Sequence, residues 1–177
     1  MNWGYQPAVS VTQSRVLAMQ MTPFTAVSNV AVETQVAGLT LPATSVVAGR
    51  QLVFETAGTV LNNTGGNLST LVKVKLAGTA VLTSTAFTMG TAADPRKWHL
   101  RATINIITTA SQRTAADWLY TLSGTENWGA YSAGAVGTSS STVDLTAGGV
   151  VEFVATPAIA SVSYTMQAQW ASLTEVF

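Results

Sequence analysis

The clearest hydrophobic-polar pattern in the chain lies in residues 41–76. Leu52, Phe54 and Thr56 alternate with Val53, Glu55 and Ala57, and Val72, Val74 and Leu76 alternate with Leu71, Lys73 and Lys75. A period of two sends successive side chains to opposite faces of a sheet. Both segments therefore predict strands with one buried face and one face carrying Glu55, Lys73 and Lys75. Between them, Asn62, Asn63, Thr64, Gly65, Gly66 and Asn67 tolerate positive φ and let the chain reverse.

The same grammar recurs on either side. Val32, Thr34 and Val36 alternate with Glu33, Gln35 and Ala37, and Gly38 permits a bend before Leu39 and Leu41. Ala77 and Gly78 predict a tight hairpin into a strand over 79–83, and another strand covers 85–89. Trp98, Leu100, Ala102, Ile104 and Ile106 oppose His99, Arg101, Thr103 and Asn105, with Trp98 expected at the edge of the core. Trp118, Tyr120 and Leu122 predict a strand starting near Arg113. A long loop of small residues then runs to Ser141 and carries Trp128 and Tyr131. Strands follow at 142–145 and 150–155. The last strand places Val162, Tyr164, Met166, Ala168 and Trp170 on one face. Short strands without a helical period predict an all-β antiparallel sandwich or barrel, nearly free of helix.

Residues 1–30 break this pattern. Trp3, Tyr5, Val9, Val11, Leu17, Met19 and Phe24 are apolar anchors without a sustained period. Two readings fit: an extended arm laid on another surface, or an irregular segment plus one edge strand packed on its own domain. Large aromatics are common interface anchors, and Trp3 and Tyr5 favour the arm. The expected division is an N-terminal arm over 1–30 and a β domain over 31–177.

Composition changes the picture in one respect. Charged residues make up 9% of the 177 residues, against about 25% in an average soluble domain. So sparse an ionic coating suits burial against partner subunits, or a large core under a Thr/Ser/Gly exterior. Eight basic and eight acidic residues leave no net field to attract nucleic acid or an anionic membrane. All basic residues lie between Arg15 and Arg113; beyond them come only Asp117, Glu126, Asp144, Glu152 and Glu175. Two readings fit this asymmetry: an acidic surface on one copy meeting a basic one on its neighbour, or a small charge set scattered unevenly. The length suits one domain. With no cysteine there are no disulfides, thiolate metal sites or thiol nucleophiles. The first residues carry no basic and apolar signal pattern, and no apolar run approaches the ~20 residues of a membrane span. The expectation is a soluble product that does not use a secretory signal.

Catalytic chemistry finds little purchase. His99 is the only histidine and sits on the polar side of its strand, where an imidazole is ordinarily a surface group rather than a base or ligand. The eight acids are isolated in sequence, so no carboxylate pair for glycoside hydrolysis stands out. Gly65-Gly66 and Gly148-Gly149 lie between strands, where glycine serves turns rather than phosphate binding. We therefore expect no enzyme, no cofactor and no metal. Trp128 and Tyr131 would stack on a sugar ring or, by preference, fill a contact with a neighbouring subunit or fold back on the sheet.

Leu41-Pro42-Ala43-x-Ser45, Gln51-Leu52-x-Phe54, Gly58-Thr59 and Asn62, followed by Leu71-Val72-Lys73-Val74-Lys75-Leu76 and Gly78-Thr79, resemble a jelly-roll domain of tailed-bacteriophage structural proteins. The resemblance extends through Trp98-His99-Leu100-Arg101-Ala102 to Met166-Gln167-Ala168-Gln169-Trp170 and covers about residues 32–177. It implies a jelly-roll β-sandwich and an assembly role, with no family residues for chemistry. A short chain of this kind resembles a capsid decoration, or cement, protein. That implies a virion protein on the capsid exterior, made in the host cytoplasm, which binds the major capsid protein and its own copies as a homotrimer. The partner-binding residues expected are Trp3, Tyr5, Val9, Val11, Leu17, Met19, Phe24, Trp128 and Tyr131, with no nucleic acid and no membrane as partner. The alternative implied is a tail-fibre or spike head whose Trp128–Tyr131 loop touches host glycan.

Overall fold

The alternating segments become strands wherever a buried row can face a second layer. The computed structural model describes residues 13–84, 86–121, 131–133 and 137–177. In chain order the strands are β1 (Ser14–Gln20), β2 (Val27–Ser28), β3 (Thr34–Leu41), β4 (Gln51–Asn62), β5 (Leu68–Leu76), β6 (Thr79–Thr83), β7 (Phe87–Met89), β8 (Arg96–Thr108), β9 (Ser111–Thr121), β10 (Tyr131–Ala133), β11 (Gly137–Ser141), β12 (Gly149–Pro157) and β13 (Tyr164–Val176). Among the described residues the only helix is one 3-10 turn at Ala43–Ser45.

These strands form two antiparallel sheets. The larger has the order β1-β13-β4-β8-β9-β10, with β11 also on β9 and β2 also on β13. The smaller has the order β3-β12-β5-β6, with β7 also on β5. The protein is thus all-β, with the two-layer build of a β-sandwich. Between the layers, the Trp98 and Trp118 rings stack at 5.2 Å, and Phe153 of the smaller sheet lies 5.2 Å and 5.1 Å from them. Trp98 is fully buried at this centre, not at the core's edge, and its indole N–H donates to the Thr59 carbonyl across 3.0 Å. Each such buried side chain contributes about 1.5–3 kcal/mol of transfer free energy.

Several expectations change in three dimensions. β4 and β5 do not pair; the Asn62–Asn67 loop carries the chain from one sheet to the other. Glu55 therefore lies on the outside of the larger sheet and Lys73 and Lys75 on the outside of the smaller. Asn62 fastens that crossing by donating to the Met89 carbonyl across 2.8 Å. Residues 142–145 are not a strand. Instead Gly137–Ser141, within the expected loop, pairs with β9, because an edge strand needs backbone partners rather than an apolar face. The Ala77-Gly78 hairpin forms as read, with φ of 45° and 79° at its two turn residues.

In the N-terminal stretch, β1 pairs with β13 from Ser14 to Gln20, and β2 pairs with the start of β13. The described part of residues 1–30 thus belongs to the larger sheet, as its edge strand and a short return. Residues 1–12 lie outside the described residues.

Candidate functional site

The last strand departs from strict alternation, and that departure builds the site. Tyr164, Met166 and Ala168 point inward as the period predicts. The register then shifts between Ala168 and Trp170, making Gln169 an extra residue, and Ala171, Leu173 and Glu175 take over the buried face. This β-bulge moves Trp170 from the expected inner row to the outer face of the larger sheet. The same period fails at its other end: Val162 precedes β13 and is 75% exposed.

The partner strand is made for the bulge. Gly58 lies opposite Ala168, and a Cβ there would collide with the Gln167 carbonyl oxygen and sit 2.9 Å from the Ala168 Cα. Thr56, fully buried, donates its hydroxyl to the Trp170 carbonyl across 2.7 Å. The Ala168 carbonyl accepts from the Phe24 N–H at 2.9 Å, and the Phe24 carbonyl accepts from Gln167 Nε2 at 2.9 Å. The carbonyls on either side of the extra residue, Ala168 and Trp170, are thereby both engaged.

On the outer face, Trp170 is opposite Ala57, Ala57 opposite His99, and His99 opposite Leu119. These four residues line an open hollow of about 370 Å³. Ala57 keeps its floor low between larger neighbours. The His99 and Trp170 rings are 6.5 Å apart at 39°. His99 Nε2 donates to Glu55 Oε1 across 2.8 Å, a diagonal contact between β8 and β4. Glu55 itself is opposite Arg101, and Arg101 opposite Asp117, so charge alternates along the neighbouring row. Gln169 Nε2 donates to Gln167 Oε1 at 3.2 Å beside the bulge. The arrangement joins an indole, an imidazole, a carboxylate and two amides on a rigid sheet. It suits reversible binding of a small polar ligand with an apolar face. Among the described residues no group of three or more His, Asp or Glu is placed to hold a metal ion.

The expected partner-binding residues fall elsewhere. Leu17 and Phe24 are half-buried against the core, and Met19 is 60% exposed on the edge strand. Tyr131 begins β10, at the opposite end of the strand order from β1, so these residues are not brought together. The Tyr131 side chain lies outside the described residues, as do Trp3, Tyr5, Val9, Val11 and Trp128. Sequence reasoning missed Trp170, His99 and Glu55 as a set. Gly58 was the available signal, since an isolated glycine inside a strand pattern marks a bulge or close backbone approach.

Of the acids that looked isolated in sequence, one is fully buried. Glu175 accepts from Arg15 Nη2 across 2.7 Å and from Arg50 Nη1, tying the edge strand and the entry to β4 onto β13. The Arg50 guanidinium also lies 5.0 Å from the centre of the Phe177 ring.

The fold thus defines a two-sheet, all-β protein with an open hollow, lined by Trp170, His99, Ala57 and Leu119, on the outside of its larger sheet. Compared with protein families and with curated proteins, the chain matches none.

Proposed function

We propose that this protein is a virion structural protein: a capsid decoration, or cement, protein that docks on the major capsid protein shell through protein–protein contacts. The observation that carries the reading is an uncharged row across the outer face of the larger sheet. Val16, Thr174, Val53, Thr103 and Ala115 follow one another across β1, β13, β4, β8 and β9. Neighbouring strands lie about 4.8 Å apart, so the row spans roughly 20 Å of small, β-branched surface. The row itself carries no charge to desolvate at the centre of a contact, and the charged row Glu55–Arg101–Asp117 borders it as a polar rim. Val16 and Met19, 58% and 60% exposed, extend the apolar surface at the β1 edge.

The jelly-roll assignment belongs to this proposal. It is supported by the late strand β12 seated between the early strands β3 and β5, and by a chain that crosses repeatedly between sheets. β4 and β8 lie side by side, as in a simpler Greek key. Assembly as a trimer around a capsid symmetry axis would multiply each contact. The anchors Trp3, Tyr5, Val9 and Val11, just ahead of β1, would grip the shell or a sibling.

The test is co-sedimentation with capsids assembled without this protein. Val53→Lys with Thr103→Lys should abolish capsid binding while leaving the melting temperature within a few degrees. Deleting residues 1–12 should weaken binding of a still-folded domain. Full capsid occupancy by the double-lysine variant would overturn the docking face.

A further inference from the structure

We propose that the hollow around Trp170 is a binding site for a neutral hexopyranose, distinct from the protein-docking row. The inference stands on the bulge. A strand that continued its alternation would bury Trp170; this one inserts Gln169, spends a glycine at position 58 and a buried hydroxyl at Thr56, and turns the indole outward. Bulges next to sites re-aim side chains in this way, and this one places the sheet's outward tryptophan beside its only histidine.

The chemistry around that indole is what a sugar ring needs. A pyranose presents an apolar C–H face and a rim of hydroxyls. The C–H face packs on the Trp170 indole, as apolar groups pack on aromatic surfaces. Ala57, with one methyl group, leaves room for the ring, and Leu119 closes the far wall. The Glu55 carboxylate stands outside the four lining residues, held by the lining residue His99 at 2.8 Å, and takes hydroxyl donors at the margin of the hollow. The Gln167–Gln169 amide pair, itself anchored to the Phe24 carbonyl, offers further polar atoms beside the bulge. The volume, about 370 Å³, falls at the small end of ligand sites, which run from about 300 to 1,000 Å³. It suits one sugar unit rather than an extended chain. The carboxylate selects against acidic sugars, whose own carboxylate would face Glu55.

This proposal does not rest on the capsid reading, and the two fail separately. Saturation-transfer NMR on the full chain, with methyl glycosides of glucose, galactose, mannose and N-acetylglucosamine as probes, should show transfer to at least one of them. N-acetylneuraminic acid should show none. Trp170→Ala should weaken the positive probe about tenfold or more, with an unchanged far-UV spectrum and melting temperature. Glu55→Gln should weaken it without touching the stacking platform. No transfer to any neutral glycoside overturns the proposal, as does undiminished binding by Trp170→Ala. If Trp170→Ala instead lowers the sedimentation coefficient of the sugar-free protein, the hollow is a contact between copies and the proposal falls.

Discussion

The buried hydroxyl of Thr56 reaches across the β4–β13 pair to the backbone carbonyl of Trp170, 2.7 Å away, two residues from the glycine that accommodates the bulge. One strand thus supplies both the space and the polar partner that hold the irregularity of the next. Gly58→Ala should cost about 3 kcal/mol, the upper end of the usual cost of overpacking, because the added Cβ meets backbone that cannot give way. Thr56→Val removes only the hydrogen bond and should cost about 1–2 kcal/mol. Urea unfolding measures both. Tryptophan emission should change more in Gly58→Ala, because Trp170 is displaced there.

Glu175 holds two arginines from separate parts of the chain while fully buried. Both guanidinium partners reach solvent, so Glu175→Gln strands no buried charge; it exchanges two charge-assisted hydrogen bonds for neutral ones and should cost about 2 kcal/mol. Arg15→Ala should cost less, about 1 kcal/mol, because that guanidinium side chain is 55% exposed. Hydrogen exchange should show β1 opening first in both variants.

Tyr164 is buried at the start of β13, and its hydroxyl points at Met166 Sδ, 3.5 Å away. Burial pushes the phenol up to about 12 from its ordinary 10.0. The folded state therefore keeps its proton after the unfolded state has lost it. The associated stability is fully present below pH 10 and declines as pH rises toward 12, by about 3 kcal/mol in all. Melting curves from pH 9 upward should fall steeply for the parent. Tyr164→Phe should lose little at pH 7 and flatten that fall.

Across the outside of the smaller sheet, Glu33 reaches over β12 to Lys73 at 2.6 Å and Lys75 at 2.7 Å on β5. Hydrogen bonds from Lys73 and then Lys75 hold the Glu33 carboxyl below its usual range, and Glu33 in turn raises Lys75. A lowered carboxyl contributes stability above the unfolded-state value and loses it as pH falls through the folded one. These are surface pairs, so Glu33→Gln should cost no more than about 1 kcal/mol at pH 7. The difference from the parent should vanish in acid and shrink at high salt, measurable by chemical denaturation at each condition.

Much of the fold was legible because alternation is a local property. Wherever side chains simply take turns, as in Leu52–Phe54–Thr56 or Leu100–Ala102–Ile104, the pleat dictates the buried face and the residues announce it. The Ser/Gly run of β11 gave no such sign, because it joins the sheet at an edge through its backbone. The division of β4 and β5 between two sheets was equally silent, since a reversing loop reads the same whether it closes a hairpin or crosses between layers.

What the amino-acid sequence determined alone is the all-β class, the hairpin at Ala77-Gly78 and most of the core, each set by neighbours within a few residues. The tertiary structure decided which sheet each strand joins, where β1 docks, and which way Trp170 points. The physical reason is that a bulge is a negotiation between two strands over 100 residues apart. Gly58 and Thr56 permit it and Gln169 fills it, so neither segment by itself records that the indole will lie beside His99 and Glu55.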